Sequence, residues 1–358
     1  MQKYTLELSS AAHLAKWYDE NKREMPWRDT GDPYDVWLSE IMLQQTRIEA
    51  AREKFLRFRE ALPGIAELAA CDEDHLMKLW EGLGYYSRAK NLQKCAQVIM
   101  RDHGGTLPAD PELLRRLPGI GPYTAGAIAS IAFGIAVPAV DGNVMRVLSR
   151  FLCIREDVRE PETKGIFEEI IRDLFRQDPS PAFAASFNQG LMELGETLCL
   201  PNGAPLCEKC PWKAGCIAHA QGLAESLPVR GAAKKRRKVE RTLLILRCGD
   251  SFLLRERPEK GLLAGLYEFL GIEGKLTREE ALQAAETIGA KPTGIHPLPE
   301  AKHIFTHLEW HMTAWEIETG LPDHTGDKDT VLASKEELAH MAIPSAFRTY
   351  IEYYALQP

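Results

Sequence analysis

Two acids stand in surroundings that could give them different chemistry. The stretch VWLSEIMLQQT, residues 36–46, places Glu40 among Val36, Trp37 and Ile41 in an apolar helical run. Desolvation there would raise its pKa and keep it protonated. The stretch PAVDGNVMRVLSR puts Asp141 directly after an apolar run and before Gly142 and Asn143, at the start of a helix. An N-cap is the ordinary reading of such an aspartate, and amide donors nearby would keep its charge. Side by side, the two acids would suit glycosidic bond cleavage. One protonated acid helps the leaving group, and one ionised carboxylate faces an oxocarbenium-like cation.

Between the acids, LPGIGPYTAGAIASIA, residues 117–132, sets Gly119 and Gly121 in a tight turn that feeds a helix. Free amides at a helix start attract a phosphate oxygen, although any packed helix-turn-helix could use the same glycines. Farther on, Cys199, Cys207, Cys210 and Cys216 form a C-x7-C-x2-C-x5-C pattern that also holds Pro201, Pro205 and Pro211. Without a secretion signal, this density points to a metal site or an iron-sulfur cluster more than to disulfides. Four thiolates suit tetrahedral zinc or a 4Fe-4S cluster, and spacing alone does not separate the two.

The elements that must carry these residues change character along the chain. From residue 8 to about 222 the pattern is helical, punctuated by Pro and Gly in REMPWRDTGDPY, RLPGIGPY and RQDPSPAF. An all-α first domain is expected there. The run SLPVRGAAKKRRKVER, beginning at Ser226, packs Pro, Gly and like charge together and predicts a basic linker over 226–240. After it, RTLLILRCGDSFLLRERP reads as two strands around a Gly249-Asp250 turn, and HIFTHLEWHMTAWEIE alternates over a long stretch. TREEALQAAETIGA has helical spacing with Thr277 as N-cap, so the second domain is expected to be a small α/β unit.

The chain has 358 residues, enough for two domains, and a net charge of -7 that excludes nucleic-acid binding by bulk charge but not through a local basic surface. Its longest apolar run, Ala125 to Val140, is broken by glycines and Pro138 and reads as a buried helix followed by a turn. No basic segment leads into an apolar stretch at the N-terminus. The expectation is a cytoplasmic protein with no membrane association.

MPWR, DPYDVWLSEIMLQQT, EGLGYYSRAKNL, LPGIGPYTAGAI, VDGNVMRVLSR, MELG and the four cysteines, in order from about residue 17 to 216, closely resemble the adenine DNA glycosylases of the MutY family, in the helix-hairpin-helix superfamily. GLLAGLYEF and HIFTHLEW extend the resemblance into the family's C-terminal Nudix-like domain. It implies a multidomain chain. The all-α helix-hairpin-helix glycosylase domain covers 1–225, with a six-helix barrel at about 31–135 and an iron-sulfur module from 1–30 and 136–225. The α/β Nudix-like 8-oxoguanine recognition domain covers 241–358.

The activity implied is hydrolytic removal of adenine mispaired with 8-oxoguanine or guanine in double-stranded DNA, by a nucleoid-associated monomer. Flipping the base out costs a few kcal/mol, so side chains must fill the gap. By the resemblance, Gln45 and Tyr85 wedge into the duplex, Arg28 and Glu193 hold the adenine, and Gly119 and Gly121 meet the DNA backbone. Glu40 protonates adenine N7, Asp141 stabilises or captures the sugar cation, and Tyr123 and Asn143 support it. Read locally, Tyr85 could be core, Gln45 surface, and Arg28 a partner for Asp29 or Asp32. Relatives resembling endonuclease III carry a Schiff-base lysine where this chain has Tyr123, so efficient strand cleavage is not expected.

The same resemblance makes Cys199, Cys207, Cys210 and Cys216 ligands of a 4Fe-4S cluster, with Lys209 and Lys213 facing the phosphate backbone. The first spacing is x7 where the family has x6, an insertion the LPNGAPL loop would absorb. In the C-terminal domain, REEALQAAETIG keeps Arg278 and Glu279 but has Ala285 and Glu286 where a diphosphate hydrolase needs paired acids. Nucleotide hydrolysis is not expected. The family's F-S-H loop appears as Phe305-Thr306-His307, and the Thr306 hydroxyl keeps the hydrogen bonding of Ser. His303, His307 and His311 would share one strand face, where metal binding is not expected. A thymine mismatch glycosylase is the enzymatic alternative, disfavoured by the Nudix-like domain. A non-catalytic DNA-binding or redox-sensing protein is the other, disfavoured by Glu40, Asp141 and Tyr123 together.

Overall fold

The computed structural model describes residues 4–231, 236–258, 260–305, 307–320, 329–338, 341 and 343–355. They form two units, one from the chain up to Cys71 together with Asn91–Ala233, the other from Asp72–Lys90 together with Lys234–Pro358. Among the described residues no helix is long and apolar enough to cross a membrane.

All regular elements of the first unit are helices, and four of them position the acids. The helix Pro33–Leu43 starts at Asp32, whose side chain accepts from the Tyr34 amide at 2.9 Å, with proline at its first turn. Every residue from Tyr34 to Met42 is buried, so it has no solvent face and Glu40 goes inside with its neighbours. The helix Pro122–Phe133 is buried from Thr124 to Ser130 and stops at Gly134, whose φ of 64° is the left-handed cap glycine tolerates. The expected buried helix and turn are both present. Gly126 lets the following segment cross it closely, since a Cβ there would lie 2.1 Å from the Pro138 carbonyl oxygen.

That segment delivers Asp141. Fully buried Asn188 anchors it, donating to the Val137 carbonyl at 2.9 Å and to Ser130 Oγ at 2.9 Å while accepting from the Ala139 amide at 3.4 Å. Asp141 then caps the helix Gly142–Phe151, accepting from the Val144 amide at 2.8 Å. The helix Pro181–Thr197 completes the frame. Its Phe187, Leu191 and Leu194 share one core with Leu14, Val147, Phe167 and Ile171.

The second unit contains a six-stranded sheet of β1 (Arg237–Cys248), β2 (Ser251–Glu256), β3 (Tyr267–Glu273), β4 (Pro292–Ile304), β5 (Leu308–Thr319) and β6 (Thr330–Ser334). Its order is β4-β5-β1-β3-β2-β6, with β1 parallel to β5 and the other neighbours antiparallel. Residues 242–246 of β1 are buried without alternation because both faces are covered. Leu243 and Ile245 pack with Phe347 and Tyr350 on one face, and Leu244 and Leu246 with Ala281 and Ala285 on the other. Thr277 and Glu280 form a reciprocal capping box at the start of the helix Arg278–Thr287.

Two expectations change here. β1 begins at Arg237, so the strand takes the last four residues of the expected linker, drawn in by an eleven-residue parallel pairing with β5. The stretch HIFTHLEWHMTAWEIE is divided between two strands that reverse at Phe305–Leu308, where the Phe305 amide donates to the Leu308 carbonyl at 2.9 Å. The three histidines therefore do not share a strand face. His303 lies on β4, His307 in the turn, and His311 on β5, bonded through Nε2 to Glu309 Oε1 at 2.5 Å.

Candidate active site

Glu40, Tyr123, Asp141, Asn143 and Glu193 line a single cavity of about 920 Å³ in the helical unit, together with Arg28, Gln45, Gly119 and Gly121. Glu40 is 9% exposed. Burial, opposed by a hydrogen bond with Tyr123, reinforced by the Asp141 charge and opposed by Arg28, pushes its carboxyl up to about 7. It is a carboxylic acid divided between its protonated and ionised forms near neutral pH.

Asp141 is also raised, chiefly by burial, where the sequence suggested that amide donors alone would decide. Those donors are present and work in the opposite direction: the Val144 amide donates to Oδ1 at 2.8 Å, and the Asn143 backbone amide and the Arg146 charge also favour the carboxylate, while Asn143 Nδ2 donates to Oδ2 at 3.1 Å. Hydrogen bonds to the charged form favour it, so Asp141 is the better equipped of the two to remain a carboxylate. Its cap role and its place in the cavity are both realised. Tyr123 is half-buried, its phenol is raised well above the usual range by desolvation and Glu40, and its hydroxyl lies 3.7 Å from Met192 Sδ.

Arg28 finds neither Asp29 nor Asp32; it donates through Nη2 to Glu193 Oε2 at 2.7 Å and through Nη1 to the Arg23 carbonyl at 2.9 Å. Arg23, which carried no signal in the charged NKREMPWR stretch, grips the same carboxylate through Nε at 2.6 Å and Nη2 at 3.0 Å. Burial would raise the Glu193 pKa, but these two guanidinium groups outweigh it and lower it. Glu196, Gln189 and Met192 are further cavity residues that sequence reasoning missed. All lie with Glu193 on the helix Pro181–Thr197, so the face opposite its core stripe was the available signal.

Gln45 is not on the same helix as Glu40. That helix ends at Leu43, and Gln45 stands in the following turn, exposed, with φ of 58°. Tyr85, in the other unit, shares this left-handed backbone (φ 46°) and is 48% exposed, so it is not core. Non-glycine residues in that region carry strain that functional sites often hold. Gly119, with φ of 76°, has a positional requirement of its own: a Cβ would come within 2.9 Å of Asn91 Cβ. His307 is exposed in the second unit, and Thr306 lies outside the described residues.

Cys199, Cys207, Cys210 and Cys216 line one small cavity beneath Arg150, whose Nη1 donates to Cys199 Sγ at 3.2 Å. Cys199 follows the helix Pro181–Thr197, and short 3-10 turns present the others. The rings of Phe151 and Trp212, tilted at 34° with centroids 4.2 Å apart, pack this loop into the core. Burial raises the thiols of Cys207, Cys210 and Cys216, that of Cys210 to about 12. Of the two lysines, Lys209 is exposed and Lys213 pairs with Glu208 at 2.5 Å.

A buried acid of raised pKa, a hydrogen-bonded carboxylate and a glycine turn around one cavity define a class before any comparison. Residues 38–175 match the HhH-GPD superfamily base excision DNA repair protein family, and residues 241–353 match the NUDIX domain. Among solved structures, the helical part resembles a thermostable thymine-DNA glycosylase (25% identity, TM-score 0.51, 59% of this chain and 95% of that one). It also resembles a trapped endonuclease III–DNA covalent intermediate (21%, TM-score 0.50, 61% and 100%).

The whole-chain comparisons are more particular. The sequence is 33% identical to the adenine DNA glycosylase of Rattus norvegicus over 95% of this chain and 78% of that protein. It is 32% identical to that of Homo sapiens over 95% and 73%. The chain belongs to the adenine DNA glycosylase family.

Proposed function

We propose that the protein excises adenine mispaired with 8-oxoguanine or guanine from double-stranded DNA by hydrolysing the N-glycosidic bond. The observation that carries this reading is the pairing of Glu40, raised to about 7, with the hydrogen-bonded carboxylate of Asp141 on one cavity. Glu40 donates its proton to adenine N7, which makes the base a neutral leaving group. Asp141 faces the sugar cation as the bond breaks, and water then adds to the anomeric carbon and gives up a proton, leaving an abasic site. Arg28 and Glu193 help hold the adenine, Glu193 being fixed by Arg23 and Arg28 through two hydrogen bonds to each of its oxygens. Tyr123 has no amine with which to form an imine, so the reaction stops at base release.

Around that centre, Gln45 and Tyr85 fill the opened duplex, and Gly119 and Gly121 present amides to the backbone. Thr306 and His307 read 8-oxoguanine from the second unit, where Phe305 is fixed against Trp310 (4.8 Å) and its carbonyl accepts from Arg236 Nε at 3.1 Å. Cys199, Cys207, Cys210 and Cys216 fit a 4Fe-4S cluster. The four thiols ring a common cavity. A cluster would bind them as thiolates and brace the loop against the helix Gly142–Phe151.

Single-turnover excision on duplexes with adenine opposite 8-oxoguanine or guanine, alongside thymine and uracil mismatches, tests the reading. Adenine release is expected, without strand cleavage; absence of adenine release overturns it. The cluster is tested separately by iron and sulfide analysis of purified protein, where stoichiometric zinc would overturn the assignment.

A further inference from the structure

The amide of Asn143 is engaged at three points. Its Oδ1 accepts from Arg146 Nη2 at 2.7 Å, and its Nδ2 donates to Asp141 Oδ2 at 3.1 Å and to Glu196 Oε1 at 2.9 Å. A side-chain amide has two hydrogens, and here both go to carboxylates. Glu196 reaches this position because its neighbour is Gly195: a Cβ there would stand 2.7 Å from Asn143 Cβ, so any other residue would push the two helices apart. Glu196 is exposed and lines the cavity, and among the described residues its carboxylate forms no ion pair that would divert it.

We propose that Glu196 is a positioning residue for adenine release, holding the second hydrogen of Asn143 so that the first stays directed at Asp141. The inference rests on the glycosylase reading and deepens it. Arg146 alone would fix the carbonyl end of the amide but leave its plane free to tilt. With Glu196 the NH2 group is fixed at both hydrogens, and Asp141 meets the sugar cation with one oxygen already oriented. A second consequence is electrostatic. Asp141 is faced by Glu40 and Tyr123 from two helices, by Arg146 from its own, and by Glu196 from a fourth; Glu196 adds negative charge that favours the protonated form of Asp141.

The test compares Glu196→Ala with Glu196→Gln in the full-length protein. Glu196→Ala is expected to slow single-turnover adenine release roughly tenfold, the scale of one hydrogen bond to a charged group. Its affinity for a duplex with a tetrahydrofuran abasic analogue should be unchanged or tighter. Glu196→Gln keeps an acceptor and should restore the rate to within about twofold of wild type. In both variants the acid limb of the pH–rate profile should move to lower pH, because the charge is gone in each. In 15N spectra, the Asn143 side-chain NH2 should lose its hydrogen-bonded shift in Glu196→Ala and retain it in Glu196→Gln. An unchanged rate in Glu196→Ala, or Glu196→Gln as slow as Glu196→Ala, overturns the proposal. If wild type releases no adenine, the glycosylase reading fails, and the NH2 shift still decides whether Glu196 holds Asn143.

Discussion

Glu40 in the helical unit and Glu268 in the sheet unit look alike in sequence, each an acid inside an apolar run, SEIML and YEFLG. Both are buried. Their partners differ entirely. Glu268 receives Arg255 at 2.9 Å, Arg241 at 3.2 Å and Arg257, and Arg241 also lies over the Trp310 ring at 4.5 Å. Glu40 has Tyr123 and the repelling Asp141, while the cation that helps it, Arg28, is bonded to Glu193. A buried carboxylate surrounded by guanidinium groups is a structural element of its sheet; one left with a phenol and another acid is held ready to exchange a proton. Burial alone distinguishes nothing.

Glu40→Gln should break the comparison at its functional end. It removes the proton donor and should lower single-turnover adenine release by about 10²- to 10⁴-fold, the usual worth of a positioned acid. Fold stability should not fall, because no ion pair is lost. Glu268→Gln should do the reverse. Leaving three guanidinium groups without their carboxylate should destabilise the second unit by about 3–5 kcal/mol. Hydrogen exchange of β1 and β3 amides should read that loss, while adenine release per folded molecule falls less than in Glu40→Gln. Equal effects of both substitutions on release would show that the contrast is wrongly drawn.

The sequence separates these two acids only through what surrounds the first. Glu40 is recognisable because Asp141, the glycine turn and the cysteines follow at fitting intervals, whereas Glu268 offers no such company in its own stretch. The helical and α/β characters of the two units were legible from periodicity, and Asp141 and Thr277 were legible as caps, though not the reciprocal bond to the Glu280 side chain that completes the second. Arg23 was not legible, since it meets Glu193 across 170 residues of chain and belongs to no pattern, whereas Glu196 shows only as part of the helix face opposite the core stripe, its bond to Asn143 spanning 53 residues. Helical spacing continues through QQT, so nothing in the sequence marks that the helix ends at Leu43 and that the backbone turns left-handed at Gln45. The β4–β5 reversal was hidden because alternation persists across a tight turn.

The pH dependence of stability sharpens the contrast at a smaller scale. The folded pKa of Glu40 lies at about 7 against an ordinary 4.5, so the folded state binds the extra proton. The stability linked to this group is fully present below 4.5 and is lost as pH rises from 4.5 through 7, by about 3 kcal/mol. Glu40→Gln should lack that decline. Unfolding monitored by exchange in the helix Pro33–Leu43 at pH 4 and pH 8 should therefore show wild type falling relative to the variant. A parallel response of the two proteins would mean that Glu40 is not held protonated by the fold.

The smallest effect belongs to the arginines of Glu268. Arg255 has a side chain 41% exposed, against 14% for Arg241 and 16% for Arg257. Solvent screens the exposed member, and two less exposed guanidinium groups remain on the carboxylate when it is removed. Arg255→Ala should then destabilise the sheet by under about 1 kcal/mol, as for surface ion pairs. Arg241→Ala should cost more, because it also uncovers Trp310 and leaves Glu268 with one largely shielded partner, Arg257. If exchange from β3 rises equally in the two variants, the three arginines act as a set whose total charge matters more than the burial of each. The structural glutamate would then depend on net compensation and not on the particular desolvated pairs around it.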